Sequence, residues 1–287
     1  ADTRAQGVSA RLGALDGGWS RITDVRALLL ELREAGREVV VFLRRHASNR
    51  ELYIASAASQ IWMTPTAGIA PLGAAAPGRF MGAAFKRIGV DWEVVSRGRY
   101  KSAPDRTAGT ERSEADHEQV KALVDAIDAQ VKDALTEGRG ISPEEASQLI
   151  AASPMLGKHA AEAGMVDRVL REEELDAEVQ DYLQKEEPPK LVPAGRYLQV
   201  RKPKLPRFSK PRQVGVVDVS GAIVDEAPGF GGRGSFAVQA PVVASLRSAL
   251  KDDKIGAVVL RVNSPGGSVP ASDAIYAAIK RLDAEKP

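Results

Sequence analysis

The chain contains no cysteine, which removes disulfides, thiolate nucleophiles and cysteine–zinc sites, although it does not fix the redox compartment. Histidine is scarce. His46, His117 and His159 stand in three unrelated contexts, with no HExxH and no histidine cluster, so no histidine metal site is indicated. Nothing marks any of the three as a catalytic base, and they read as structural or surface residues. Aromatic residues make up only 5% of the chain, so its core must be built mainly from Ala, Val, Leu and Ile. No apolar run is long enough to span a membrane as a helix, and the opening residues ADTRAQGVSARLG have no signal-peptide apolar region. Charge of one sign is lacking too: 40 basic against 38 acidic residues leave +2, which gives no global attraction to nucleic acid.

What is present, 287 residues with 44% hydrophobic and 27% charged, fits an ordinary soluble globular protein of one large domain or two partial ones. Ala1 in place of an initiator Met and the abrupt stop at Lys286-Pro287 read as a segment cut from a longer chain.

An internal self-match organises the sequence. Gly7-Val8 through Asp16-Gly17-Gly18 aligns without a gap with Gly256-Ala257 through Pro265-Gly266-Gly267, an offset of 267 − 18 = 249. Each copy is a short apolar strand pattern, a Gly-Gly turn and an amphipathic helix, and Asp24 falls on Asp273. The first copy continues into Val39-Val40-Val41-Phe42-Leu43, an apolar run fitting a buried strand. Strand, helix and strand in this order predict right-handed crossovers and an α/β fold of two tandem repeats, both incomplete here. Residues 1–187 form the first repeat, 188–212 a basic, Pro-rich linker, and 213–287 the start of the second.

Between the copies, Leu52 to Ser59 has a helical pattern and Ile61-Trp62-Met63 that of a short strand. Phe80 to Ile88 reads as a helix ended by Gly89, followed by a strand from Trp92 to Val95. Ser113 to Glu137 reads as a long helix with an apolar stripe through Val120, Leu123, Val124, Ile127, Val131 and Leu135. Ser142-Pro143-Glu144-Glu145 is a capping-box signature, and Gly164 is placed to end a helix before the strand at Val169. Glu172 to Glu187 is acidic, whereas Lys190 to Arg212 carries eight basic residues, four prolines and no acid. That basic stretch serves as a linker or, alternatively, as an arm for phosphate or lipid headgroups. Beyond it, Val214 to Ile223 reads as a buried strand and Val242 to Leu250 as a helix.

Two segments carry chemistry. Leu260-Arg-Val-Asn263-Ser264-Pro265-Gly266-Gly267-Ser268-Val269 joins a strand to a helix. Its glycines let the backbone pass close to a ligand, and the helix N-terminus directs N–H groups at the turn. It suits a developing oxyanion, or it is merely a tight turn. Arg97-Gly98-Arg99-Tyr100-Lys101-Ser102-Ala103 offers either a surface lysine in a basic patch or a base. A lysine works as a base only when neutral, against a reference pKa of about 10.4, so as a base Lys101 is expected in an apolar cleft, where burial disfavours the ammonium.

Together these segments closely resemble the signal peptide peptidase A family, in the crotonase-like superfamily that also holds the proteolytic subunit of Clp protease. LRVNSPGGSV is similar to the family's oxyanion turn, and Gly98-Arg99-Tyr100-Lys101-Ser102-Ala103 to its G-x-Y-K-S-A motif. The resemblance runs from about Gly7 to Pro287 and implies a crotonase-like (Clp protease-like) fold and a cofactor-free serine endopeptidase with a Ser–Lys dyad. In it Lys101 is the general base, Gly266 and Gly267 form the oxyanion turn, and Tyr100, Ser102, Asn263 and Ser264 support them. It further implies remnant signal peptides or similar peptides as substrates and a homo-oligomer in which Lys101 meets a second-repeat serine. A membrane anchor outside this chain and a location in the bacterial cell envelope complete the implication.

The pattern departs from the family at the nucleophile. The corresponding first-repeat segment, Ser48-Asn49-Arg50-Glu51, lacks the glycine pair, and Asn49, or Ser48 with one insertion, falls at the serine position. Leu15-Asp16-Gly17-Gly18 is likewise a degenerate oxyanion turn. The second-repeat serine is expected roughly ten residues beyond Pro287 by the repeat offset, so the chain alone is expected to be inactive. Ser264 and Ser268 read as turn-stabilising. Gly229-Phe230-Gly231-Gly232-Arg233-Gly234 matches GxGxxG literally, but neither a strand directly before it nor a helix after it supports a dinucleotide site. An acyl-CoA enzyme of the crotonase type would share the oxyanion turn without needing Lys101, and a catalytically dead scaffold is the third alternative.

Overall fold

A computed structural model describes residues 5–183, 190–201, 212–227 and 235–287. The chain divides into two compact units, Ala1–Val192 and Pro193–Pro287.

The first unit is built on a four-stranded, wholly parallel sheet in the order β1-β2-β3-β6: β1 (Gly7–Leu12), β2 (Glu38–Leu43), β3 (Gln60–Met63) and β6 (Arg168–Val169). Helices α1 (Trp19–Glu34) and α2 (Asn49–Ala55) make the crossovers between the first three strands. Val39 through Leu43 are all buried, because helices cover both faces of this strand and leave no polar side to alternate with. On one face Val39, Val41 and Leu43 join Leu52, Ile54, Val131 and Leu135; on the other Val40, Phe42 and Trp62 pack with Leu175 and Val179 of α8 (Leu175–Leu183).

Between β3 and β6 the chain makes a short antiparallel pair, β4 (Gly68–Ile69) with β5 (Met155–Leu156), and helices α3 (Gly82–Arg87), α4 (Asp105–Ala108), α5 (Glu114–Arg139), α6 (Pro143–Ala151) and α7 (Gly157–Glu162). Helix α5 starts where Ser113 accepts the Asp116 N–H at 3.2 Å and ends at the left-handed Gly140. Ser142 and Glu145 form the expected capping box on α6.

The segment Trp92–Val95 is not a strand. It makes no ladder with any described strand. Trp92 packs edge-on against Phe85 at 5.4 Å, and Val95 is 93% exposed. Alternating Val and Trp beside Asp91 and Glu93 satisfies β propensity, but a strand also needs a sheet edge to join, and none meets it here.

The second unit contains α9 (Ala194–Arg201), which falls inside the expected linker. It also holds β7 (Gln213–Ser220), β8 (Ala222–Val224), β9 (Phe236–Val238), α10 (Gln239–Lys251), β10 (Ile255–Asn263) and α11 (Val269–Asp283). Strands β7 and β10 pair in parallel, as do β8 and β9. The expected buried strand over Val214–Ile223 is only half buried. Val217 and Val219 pack with Val242, Val243 and Leu246 of α10, whereas Val214 and Val216 are exposed. Gly221, at φ +85°, ends β7 and redirects the chain into β8, a conformation in which a side chain at this position would strike the Ser235 carbonyl. Among the described residues no helix is long and apolar enough to cross a membrane.

Candidate active site

The lysine segment lies between α3 and α5, and its geometry comes from the residues flanking the lysine. Gly98, at φ +99°, makes the turn, and the Lys101 N–H closes it on the Gly98 carbonyl at 3.2 Å. On one side Tyr100 donates its hydroxyl hydrogen to Glu118 at 3.0 Å, and Arg99 bonds the same carboxylate at 2.9 Å. On the other, Ser102 donates to Asp116 at 2.8 Å and accepts from Gln119 at 2.6 Å. Both neighbours of Lys101 are thus clamped to the first two turns of α5. Lys101 is left exposed, and among the described residues its amine has no hydrogen-bond or ion-pair partner.

Tyr100, Lys101, Ser102, Ala103, Arg106, Asp116 and Gln119 line an open depression of about 430 Å³. The apolar cleft expected around the lysine is therefore not supplied by the described residues of the first unit: polar and charged groups surround it. Asp116 is held below the ordinary carboxylate range first by the hydrogen bond from Ser102, with those from Arg112 and Gln119 added, against the opposing cost of burial. Its pairing with Arg112 is well shielded, the two side chains being 14% and 18% exposed. The hydrogen bond to Glu118 raises the Tyr100 phenol above its usual value. Arg106, Arg112, Asp116, Glu118 and Gln119 escaped the sequence reasoning. Ser113 three residues before Asp116 is a helix-start signal that places this carboxylate in the first turn, but it does not show which loop folds onto that turn.

In the second unit β10 delivers the glycine turn. The Asn263 carbonyl accepts from Gly221 at 2.9 Å, and Ser264 Oγ accepts the Gly266 N–H at 3.1 Å. Gly266 takes φ +100°. Gly267 forms a parallel bridge to Ile223, in which Ile223 donates to the Gly266 carbonyl at 3.0 Å and Ser268 N–H donates to the Ile223 carbonyl at 2.8 Å. A residue in such a bridge directs its own N–H to the opposite side, so the Gly267 N–H faces away from β8 and has no acceptor among the described residues. A Cβ on Gly267 would lie 2.0 Å from the Ile223 carbonyl oxygen; only glycine fits. Ser268 caps α11, accepting from Ala271 N–H at 3.3 Å and donating to Asp225 at 2.5 Å. Both serines of the turn therefore work as local supports, and among the described residues the Gly267 N–H is left as a donor without an acceptor.

The first-unit segments that the sequence self-match sets against this turn are built differently. Leu15 N–H donates to the buried Glu51 at 2.9 Å, and Ser48 donates to the same carboxylate from its N–H at 2.9 Å and its hydroxyl at 2.5 Å. Burial works to raise the Glu51 pKa, but these hydrogen bonds outweigh it and hold the group below the ordinary range. Asn49 exchanges two hydrogen bonds with Gly73, at 2.8 and 3.1 Å. Ser48 and Asn49 are thus both engaged in local hydrogen bonds. His46, His117 and His159 are each exposed and far apart in sequence, and the GxGxxG match at 229–234 lies outside the described residues.

Among known proteins, the chain is 25% identical over 288 residues to "Serine protease SPPA, chloroplastic" of Arabidopsis thaliana, covering 100% of this chain and 42% of that protein. It is 28% identical over 265 residues to "Protease 4" of Salmonella typhi, covering 88% and 41%, and 24% identical over 292 residues to "Protease 4" of Haemophilus influenzae, covering 98% and 47%. The chain thus spans less than half the length of these curated relatives. A family model described as peptidase family S49 matches residues 31–185, more than half of the 287 residues, and the chain belongs to that family, the signal peptide peptidase A family.

Proposed function

We propose that this chain supplies the base and the oxyanion turn of a serine endopeptidase that works through a Ser–Lys dyad. The observation that carries this is the presentation of Lys101: its two neighbours are tied to α5 by Glu118, Asp116 and Gln119, and its amine is left free in an open depression. A base must meet its proton donor within hydrogen-bond reach, and a free amine on a fixed backbone is open to such an approach. The Gly267 N–H, pre-aimed and unpaired among the described residues, is the donor that would stabilise the tetrahedral intermediate.

In this scheme the two units are tandem crotonase-like, Clp protease-like repeats. The serine nucleophile lies outside residues 1–287, and Lys101 of one subunit meets the turn and serine of another in a homo-oligomer. Assembly would also cover Lys101, which this chain leaves in water. The serine attacks the scissile carbonyl and passes its proton to neutral Lys101. The lysine then protonates the leaving amine, and water hydrolyses the acyl-enzyme with Lys101 again as base. Residues 1–287 alone would not cleave peptide. Remnant signal peptides or similar peptides are the substrates, and the native protein is held at the bacterial cell envelope by a membrane segment outside this chain. The test is Lys101→Ala in the native protein: casein or lipopeptide cleavage should be lost while the oligomer survives, and cleavage retained would remove the dyad.

A further inference from the structure

An apolar stretch lies open on the surface directly before the lysine segment. Ile88, Val90, Trp92, Val94 and Val95 follow one another closely and all are exposed, Ile88 by 73% and Val95 by 93%. Single exposed apolar side chains need no explanation, but a contiguous group of them marks an interaction surface. The backbone is unpaired as well. The Val90 N–H donates to the Phe85 carbonyl at 3.0 Å and the Lys101 N–H to that of Gly98; between them, residues 91–97 make no backbone hydrogen bond with any described residue. The stretch is nonetheless held at both ends. Met81 and Gly82 donate to the carbonyls of Arg106 and Gly109 at 2.9 and 3.0 Å, and Tyr100 and Ser102 are tied to α5.

Unpaired main-chain groups under aromatic and β-branched side chains make a strand that lacks a neighbour. Such segments add to a sheet edge, where main-chain hydrogen bonds supply the affinity. Asp91 and Glu93, interleaved with the apolar residues, work against an anionic lipid surface as the occupant. Lys101 follows soon after Val95 on the same loop, so whatever pairs with the stretch stands beside the base. We propose that residues 91–97 add as a strand to a sheet edge of a second copy of this protein, and that this contact brings Lys101 to the partner's glycine turn. The inference rests on the dyad reading and adds the surface through which the subunits dock. It also gives a use to strand composition that finds no ladder within its own chain.

The test is hydrogen–deuterium exchange of the native protein, read by mass spectrometry in the oligomer and in subunits separated by dilution, with assembly mass from light scattering. Amides of residues 91–97 should exchange at least about tenfold more slowly in the oligomer. Val95→Asp should abolish both that protection and the oligomer, and lower peptide cleavage by about a hundredfold through lost positioning. Its circular-dichroism spectrum should be unchanged, because so exposed a side chain has no packing to lose in its own subunit, and Val95→Ile should keep assembly, protection and cleavage. Equal exchange in oligomer and subunit, or a Val95→Asp oligomer of wild-type mass, overturns the inference. So does protection that survives in single subunits, which would put another segment of the same native chain on the strand, and so does protection that appears only with added peptide, which would make the stretch a substrate-binding edge. Failure of the dyad would show separately, as Lys101→Ala protein that still cleaves peptide while residues 91–97 remain protected in its oligomer.

Discussion

Replacing Gly267 by alanine tests the glycine turn on stability alone. The added Cβ would sit 2.0 Å from the Ile223 carbonyl oxygen and 2.7 Å from its nitrogen, so strand β8 must move away. That breaks the two backbone hydrogen bonds joining Ile223 to Gly266 and Ser268, worth about 1 kcal/mol each, and adds overpacking strain of about 1–3 kcal/mol. The sum is about 3–5 kcal/mol. For a unit the size of residues 193–287 this lowers the midpoint by roughly 12–40 °C. The assay can isolate the second unit, because all three tryptophans, Trp19, Trp62 and Trp92, lie in the first. Gly267→Ala should move the circular-dichroism transition of the second unit and leave the tryptophan-fluorescence midpoint unchanged. Two controls sharpen it. Gly18→Ala, at φ −72° with nothing within 4 Å of the new Cβ, should leave the second unit unchanged and cost the first only the Gly-to-Ala difference at the N-cap of α1, about 0.5–1 kcal/mol. Gly266→Ala, at φ +100° with open space around it, should cost about 1–2 kcal/mol from backbone strain alone. If Gly267→Ala melts with the wild type, the close approach of β8 to the turn is wrong.

In the first unit, Gly138→Ala should destabilise by about 1–3 kcal/mol despite alanine's better helix propensity, because its Cβ would meet the Ser56 carbonyl at 2.0 Å; an unchanged fluorescence midpoint would contradict that contact. Glu51 has a folded-state pKa below its unfolded value of about 4.3, so its contribution is complete above that value and is lost as pH falls through the folded one. Melting from pH 7 to 3 should show an acid limb that Glu51→Gln flattens, and superimposable limbs would exclude Glu51 as its source.

What the sequence made legible was local. The apolar run at Val39–Leu43, the Ser113 start of α5, the Ser142 capping box and the helix after Gly266-Gly267 each rest on contacts within a few residues, and each appears in the structure. What escaped depends on distant partners. Trp92–Val95 carries strand composition, but whether a sheet edge is available to it cannot be read from its own residues. The Tyr100-Lys101-Ser102 segment was visible as a motif, while its clamps lie 14 to 18 residues away on α5. The apolar surroundings expected for Lys101 followed from the chemistry a lysine base needs, and the first unit presents charged neighbours in their place. The segment Ser48–Glu51 drew notice for the glycines it lacks, but its sequence did not reveal the use the fold makes of it: a buried carboxylate that satisfies the amides of Leu15 and Ser48.

The most direct test of the dyad is covalent labelling of the native protein with a fluorophosphonate, read by mass spectrometry. The label should fall on a single serine outside residues 1–287, and Lys101→Ala should abolish it, because that serine is nucleophilic only while the amine can take its proton. Labelling of undiminished rate in Lys101→Ala protein would contradict the account.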